Sequence, residues 1–216
     1  MSIQKLLNRS TFYLHALDWF MLKILSYHLY DAASVLDVGC GASSPLGSIK
    51  KHFLSEGIDI FKLSINVSKK NKLHDTFKIG DIRFISKYYK QKSFDAVIAL
   101  HVIEHLVKSE ADQLISQMEK IAKKKVIILT PNGYQHQHAV GGNPYQVHRS
   151  GWQVEDFLAR GYTVRGLRGY KNIRGELKTF RYKPWFFWGI AALLSEPILY
   201  FYPHISHQLI AVKKLE

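Results

Sequence analysis

The stretch that most constrains this chain is 34–44, which reads Ser-Val-Leu-Asp-Val-Gly-Cys-Gly-Ala-Ser-Ser. Residues 35–38 are mostly apolar and predict a short buried strand. Gly39 and Gly41 then allow the tight turn that a backbone needs to approach a ligand closely, and Pro45 predicts that a helix begins nearby. A loop of this kind, at the carboxyl end of a first strand, predicts a nucleotide-binding α/β sheet.

The glycine spacing argues against a dinucleotide-binding loop. That fingerprint is G-x-G-x-x-G with an acid about 20 residues further on. Here the third glycine position is Ser44, and the second predicted strand ends in Asn66. Asp37, two residues before the first glycine, instead suits a ligand that carries an ammonium group. The loop therefore favours another nucleotide.

Strand and helix patterns alternate along the chain. Residues 1 to about 30 have the three-and-four spacing of an amphipathic helix. Further helices are predicted at 49–56, 109–122 and 154–160. Strands are predicted at 35–38, 61–67, 78–82, 93–100, 126–131, 162–167 and 207–213. This order predicts a seven-stranded, mostly parallel α/β sheet with helices on both faces, an antiparallel last strand, and helical additions at both ends.

The sequence Val-Leu-Asp-Val-Gly-Cys-Gly at 35–41 resembles motif I of the class I S-adenosylmethionine (SAM)-dependent methyltransferases. Ile-Glu-His-Leu at 103–106, after the fourth strand, and Thr-Pro-Asn-Gly at 130–133, after the fifth, resemble two further blocks of that family. The resemblance covers roughly residues 34 to 165 and the last strand. It implies a Rossmann-like fold and SAM as the cofactor.

The resemblance also implies roles for individual residues. Asp37, Gly39 and Gly41 would hold the methionine part of SAM. Asn66 occupies the position of the acid that binds the ribose hydroxyls, and the Asp81 carboxylate would take the adenine amino group. The same resemblance assigns four more residues to the cofactor pocket: Cys40, Val67, Ile82 and Leu100.

Four residues are candidates for catalysis at the same end of the sheet: His101, Glu104, His105 and His148. If the methyl acceptor is a hydroxyl, its proton must be removed, and a positioned base is worth about 10² to 10⁴ in rate. His105 is the favoured base. Alternatively, Glu104 and His105 form a structural pair and His148 is an ordinary loop residue.

The same four residues resemble the metal site of the small-RNA 3′-terminal 2′-O-methyltransferases, with His101 in place of a glutamate. Three imidazoles and one carboxylate are able to bind a divalent metal, which would lower the pKa of the acceptor hydroxyl. His-x-x-Glu-His is also the inverzincin peptidase signature. Here the motif directly follows a buried strand, which argues against a peptidase.

The region after residue 164 departs from a minimal methyltransferase. Residues 165–183 hold seven basic side chains and one acid, and 184–202 are apolar and rich in aromatic residues. Glu196 and Pro197 interrupt that apolar run, and the strands on either side belong to one sheet, so a membrane span is not expected. We expect a helix lying on an anionic membrane surface, or else a lid or an interface between subunits.

The charge of the chain limits its partners, and its cysteine content limits its location. The chain has 30 Lys and Arg against 17 Asp and Glu, a net charge of +13, which favours phosphates of an anionic lipid surface or of RNA. The single cysteine and the absence of a secretory signal pattern favour a cytoplasmic protein, with peripheral membrane association. The charge does not predict an oligomeric state.

These observations predict a SAM-dependent methyltransferase that methylates oxygen on a small or a lipid- or glycan-linked acceptor. The alternatives are an RNA methyltransferase, in which the metal would assist ribose 2′-O transfer, and a non-catalytic partner protein with the same fold. The predicted divisions are an N-terminal cap at 1–30, a SAM-binding core at 31–167, a basic and aromatic insertion at 168–206, and a final core strand at 207–216.

Overall fold

The computed structural model of the chain describes residues 3–50, 52–139, 142–174 and 180–215. Its centre is one seven-stranded sheet in the order β3-β2-β1-β4-β5-β7-β6. Strand β7 runs antiparallel to both β5 and β6, and the other neighbouring strands are parallel. The predicted sheet is therefore confirmed. The strands are β1 Ser34–Val38, β2 Leu54–Asp59, β3 Thr76–Ile79, β4 Phe94–Leu100, β5 Ala122–Pro131, β6 Thr163–Tyr170 and β7 Ser206–Lys214.

Helices cover both faces of the sheet because successive side chains of a strand point to opposite sides. Along β4, Val97 and Ala99 join the core under the third helix, whereas Ala96 and Ile98 join the core under the first. Buried apolar strands of this kind are typical of parallel sheets. The helices are α1 Ile3–His28, α2 Lys62–Lys70, α3 Lys108–Ile121, α4 Val154–Leu158 and α5 Trp185–Phe201.

The segment 49–67 was predicted incorrectly. Strand β2 lies where a helix at 49–56 was expected, and α2 replaces the expected strand at 61–67. Strand β2 was missed because it carries polar residues, which have partners within the fold: the Tyr89 hydroxyl donates to Glu56 at 2.7 Å, and the Ser55 hydroxyl donates to Asp75 at 2.9 Å. In α2, Ile65 is buried while Leu63 and Val67 are exposed.

The C-terminal helix α5 packs against α1 and β6. Leu17 of α1 and Ala192 of α5 share a small apolar cluster, and the rings of Phe20 and Tyr200 meet edge to face. Strand β6 continues to Tyr170, three residues past its predicted end. Part of the predicted basic insertion, residues 175–179, lies outside the described residues. The predicted division of the chain into four segments stays a prediction.

The described residues form five α-helices, of which α1 and α5 are the longest. None of these helices combines the length and the apolar character required to cross a bilayer.

Candidate active site

A cavity of about 820 Å³ lies at the carboxyl ends of the parallel strands, where ligands bind in open α/β sheets. Its floor is formed by the residues that follow β1, β2, β3 and β4, and α1 contributes one wall. Seven of the nine predicted cofactor residues line this cavity: Asp37, Gly39, Cys40, Gly41, Asp81, Ile82 and Leu100.

The loop after β1 is held close to β2 by backbone hydrogen bonds. The amides of Gly39 and Cys40 donate to the carbonyl of Ile58 at 2.8 and 3.1 Å. Gly39 has a φ of +70°, and a Cβ there would lie 2.7 Å from Val102 Cγ2. Gly41 also has a positive φ, +58°, but faces open space. Glycine is therefore needed at both positions, and at Gly39 for steric reasons as well.

Asp37 is buried at the start of this loop and is held by two side chains. The Ser44 hydroxyl donates to Asp37 Oδ2 at 2.5 Å, and His74 Nε2 lies 3.3 Å from the same oxygen. Ser44 also caps a short 3₁₀ turn at Pro45–Ser48 by accepting from the Leu46 amide. The helix expected near Pro45 is thus one turn, and Asp37 is fixed in the cavity floor.

The acid at the end of the second strand is Asp59, which sequence analysis missed. Its carboxylate accepts from the amides of Gly41 at 3.0 Å and Phe61 at 2.7 Å, and it lines the cavity. Burial raises the pKa of Asp59, and these two amides oppose that shift. The predicted residues Asn66 and Val67 are exposed on α2 and are not among the residues lining the cavity in the described chain. One signal pointed to Asp59: it lies about 20 residues after Gly39, the spacing of the ribose-binding acid.

Asp81 follows β3 as predicted and is oriented by Arg83. The guanidinium Nη2 lies 2.6 Å from Asp81 Oδ2, and the Arg83 amide donates to Oδ1 at 3.0 Å. The hydrogen bond from Arg83 holds the pKa of Asp81 below its usual value. Asp81 is therefore an anionic acceptor at neutral pH, next to the apolar Ile82.

The four predicted catalytic residues come together after β4. His101 has a left-handed backbone, with φ of +59°, and its Nδ1 lies 3.2 Å from Glu104 Oε1. The Thr130 hydroxyl donates to Glu104 Oε2 at 3.0 Å. Burial alone would raise the pKa of Glu104, but His101 and His105 outweigh it and hold the pKa below its usual value. Glu104 is thus a buried carboxylate among imidazoles.

His105 and His148 are each oriented through Nδ1. His105 Nδ1 lies 3.3 Å from the Val147 carbonyl oxygen, and His148 Nδ1 lies 2.6 Å from the Gln135 carbonyl oxygen. A ring nitrogen that bonds a carbonyl must carry the proton, so in the neutral form of each ring Nε2 bears the lone pair. The two ring centroids are 4.8 Å apart. Burial lowers the pKa of His105, which is therefore neutral at pH 7.

Glu104, His105 and His148 offer ligand atoms that all lie within 4.8 Å of one another. His101 is not part of this trio and contacts it through Glu104. His101 and His105 line the cavity, whereas Glu104 and His148 are buried and are not among its described lining residues. The motif lies on a 3₁₀ turn at Ile103–His105, not on an α-helix, which removes the peptidase alternative.

The acceptor side of the cavity was not predicted in detail. Trp19, Met21 and Leu22 of α1 form an apolar wall. Besides Arg83, two more arginines line the cavity, Arg149 and Arg168, and Arg168 forms a buried ion pair with Asp18. Sequence spacing gave no signal for these residues because they come from α1, β6 and the segment after β5.

A sheet of this order, with a glycine loop after β1 and acids after β2 and β3 facing one cavity, defines the Rossmann-like SAM-dependent methyltransferases of class I. A family profile described as "Methyltransferase domain" matches residues 36–130, which run from β1 into β5. Residues 36–130 thus match a methyltransferase domain, and the chain has the fold of the class I SAM-dependent methyltransferases.

Solved structures show the same fold at low sequence identity. The methyltransferase domain of bacterial CtHen1-CN is 20% identical, with a TM-score of 0.58 over 92% of this chain and 100% of that one. A SAM-dependent methyltransferase from Archaeoglobus fulgidus is 18% identical, with a TM-score of 0.56 over 90% and 94%. Magnesium protoporphyrin IX methyltransferase from Synechocystis PCC 6803 with bound SAM is 17% identical, with a TM-score of 0.52 over 94% and 79%. No curated protein matches the sequence significantly.

Proposed function

We propose that this methyltransferase transfers the methyl group of SAM to an oxygen atom of its acceptor, and that His105 removes the acceptor proton. One observation carries the proposal: a neutral imidazole on the cavity wall lies beside the buried carboxylate of Glu104. The carbonyl of Val147 fixes the proton on Nδ1, so Nε2 is free to act as the base.

Glu104 favours the imidazolium that forms when His105 takes a proton. Its negative charge raises the pKa of His105 against the lowering effect of burial. Thr130 and His101 each bond one carboxylate oxygen, which fixes the orientation of the Glu104 carboxylate. Glu104 therefore acts on His105 through its charge, while the Val147 carbonyl orients the ring through Nδ1.

The acceptor we propose is a small or a lipid- or glycan-linked molecule. A cavity of about 820 Å³ is of the size of a small-molecule site and has to hold SAM as well as the acceptor. Its acceptor side joins an apolar wall on α1 to the cationic Arg149, which suits a molecule with an apolar and an anionic part. This acceptor class also agrees with the exposed apolar residues on the outer face of α5.

The test is methyl-labelled SAM with three acceptor pools: lipid extract, polar small molecules and RNA. We expect label in the lipid or small-molecule pool, in a linkage that behaves as an ether or ester. His105→Ala should abolish labelling, whereas His52→Ala, an exposed histidine that is not among the residues lining the cavity, should not. Label on nitrogen or carbon would contradict oxygen transfer.

A second candidate is metal-dependent ribose 2′-O-methylation of RNA. One observation favours it: Glu104, His105 and His148 are close enough to share one ion, and both imidazoles have Nδ1 held by a backbone carbonyl. Metal-binding histidines are oriented in this way, so the residues fit a divalent metal. A bound ion would lower the pKa of the acceptor hydroxyl. His105 would then be a ligand and not the base.

Equilibrium dialysis with Mn²⁺ separates the two candidates without an activity assay. The second candidate predicts one bound ion per chain, lost in His148→Ala and kept in His138→Ala, an exposed histidine. The first predicts no saturable binding and full labelling of the acceptor after exhaustive chelation. Label that enters only RNA and disappears on chelation would replace the first candidate by the second.

A further inference from the structure

Helix α5 carries an apolar stripe on its outer face. Five residues spaced by three or four form it, and all are exposed: Phe187, Ile190, Leu194, Ile198 and Phe201. Leu194 keeps 74% of its surface exposed, and Phe201 keeps 65%. This spacing places the residues on one side of an α-helix. We call this face the α5 stripe.

The opposite face of α5 fixes the helix to the protein. Gly189 lies against Tyr13 of α1, and a Cβ there would meet that ring at 2.5 Å. Ala192 lies against Gly169 of β6, where an added Cβ would meet it at 2.8 Å. Because both contacts require a glycine, α5 sits close to its neighbours. The α5 stripe is therefore presented outward on a rigid base.

Basic side chains lie at both ends of α5 among the described residues. Within the helix the only acid is Glu196, and it is buried. Arg181 and Lys183 are exposed just before the helix begins, and Arg165 lies under the rings of Tyr200 and Phe201 near its end, 5.5 and 5.7 Å from their centroids. An apolar stripe flanked by basic residues is the pattern of a helix that lies in a membrane interface.

The α5 stripe could be covered by a membrane or by a second copy of the chain, and the net charge favours the membrane. The chain carries a net charge of +13, so two copies would repel each other, whereas an anionic lipid surface is complementary. The helix has 17 residues and is about 26 Å long, shorter than a hydrocarbon core of about 30 Å, so it suits a position parallel to the surface.

We propose that the α5 stripe docks this enzyme onto an anionic bilayer. The inference extends the lipid-linked acceptor of the proposed function. Helix α1 links the two sites, since Phe20 contacts α5 while Trp19 and Leu22 line the cavity. A docked α5 therefore brings the apolar wall of the acceptor side close to the lipid in which such an acceptor is anchored.

The experiment is cosedimentation of the full chain with vesicles of phosphatidylcholine, alone and mixed with phosphatidylglycerol. Wild type should bind the anionic vesicles. High salt should weaken this binding without abolishing it, because salt screens the charge interaction and not the apolar insertion. The double variant Leu194→Glu with Ile198→Glu should bind at least tenfold more weakly. The matched control is Leu63→Glu on α2, where the leucine is 64% exposed and far from α5 in sequence. It should bind like wild type.

Calorimetric titration with S-adenosylhomocysteine checks that each variant is folded and separates this inference from the proposed function. Lipid binding without lipid methylation would leave docking standing and overturn the acceptor class. Absence of vesicle binding at low salt, or equal loss in Leu63→Glu, would overturn docking. A wild-type dimer that the double variant dissociates, with no vesicle binding, would assign the stripe to a second copy. Salt-sensitive RNA binding in place of vesicle binding would also overturn it.

Discussion

The two halves of the cavity are built in different ways. The half that we propose for the cofactor consists of the loop after β1 with Asp59 and Asp81, and backbone amides next to the ends of β1, β2 and β3 donate to these two carboxylates. The half that we propose for the acceptor consists of His101, Glu104, His105 and His148 with α1. Partners from other segments hold its groups: Thr130 for Glu104, and the carbonyls of Val147 and Gln135 for the two imidazoles. The first half is local geometry at strand ends. The second half depends on how distant segments pack.

We expect the largest difference between the two halves of the cavity in a Glu104 variant, which should lose methyl transfer and keep cofactor affinity. In Glu104→Ala the methyl-transfer rate should fall by about 10² to 10⁴, because His105 loses the charge that stabilises its protonated form. Affinity for S-adenosylhomocysteine should stay unchanged, since Glu104 is not among the described cavity-lining residues. Rates come from labelled SAM and affinities from calorimetry. Glu104→Gln, of the same shape, should lose activity too. Activity retained in both variants would exclude Glu104 from the mechanism.

A second effect tests the loop of the cofactor half through a pair of glycines. Gly39→Ala should lower the free energy of unfolding by about 2–5 kcal/mol, from its left-handed backbone and the clash with Val102. A Cβ at Gly41 would have no atom within 4 Å, so Gly41→Ala should lower the free energy of unfolding only through its left-handed backbone, by about 1–2 kcal/mol. Urea unfolding measures both.

The clash at Gly39 has its own control. Adding Val102→Ala to Gly39→Ala should recover part of the loss, because it removes the methyl groups that the new Cβ meets. Equal losses for Gly39→Ala and Gly41→Ala, or no recovery in the double variant, would show that the loop does not pack on Val102 as described.

A third prediction concerns the pH dependence of stability at Glu196, which is buried in α5. Burial raises the pKa of Glu196 from its ordinary value of 4.5 to about 7. Because the folded-state pKa is raised, the stabilising contribution of this group is complete below about pH 4.5 and is lost as pH rises through 7. Relative to Glu196→Gln, wild type should therefore lose up to about 3 kcal/mol of stability between pH 4.5 and 8. Urea unfolding across this range measures it.

The control for that prediction is Glu155→Gln, since Glu155 is 66% exposed. Both variants remove one carboxylate, so their comparison separates the effect of the buried site from the loss of one negative charge. A flat difference for Glu196→Gln would mean that folding does not raise the pKa of Glu196.

The sheet was predictable wherever strands are continuous apolar runs. Strands β4 and β5 and the antiparallel β7 lie where their patterns predicted them. Strand β2 failed because Glu56 and Ser55 interrupt the pattern, and their partners Tyr89 and Asp75 come from other parts of the chain. A pattern search sees residue types, not the distant partners that make a polar residue acceptable in a buried strand.

The residues of the site were predictable to the same extent as the strands that carry them. Asp37 and Asp81 were found because each ends or follows a recognisable strand, while Asp59 was missed together with β2. The imidazole cluster was predicted from a motif, but the orientation of His148 by the Gln135 carbonyl depends on a loop fold that no local pattern encodes. The same is true of the α1 wall, whose position follows from packing.

We propose that SAM is held at the ends of β1, β2 and β3, with Asp59 as the acid for the ribose. Calorimetric titration of S-adenosylhomocysteine into Asp59→Ala and Asn66→Ala tests it most directly, because the two residues compete for one role and Asn66 lies exposed on α2. We predict an affinity at least tenfold weaker in Asp59→Ala, about 1.4 kcal/mol or more, and an unchanged affinity in Asn66→Ala. A weaker affinity in Asn66→Ala with wild-type affinity in Asp59→Ala would show that Asn66, and not Asp59, binds the ribose.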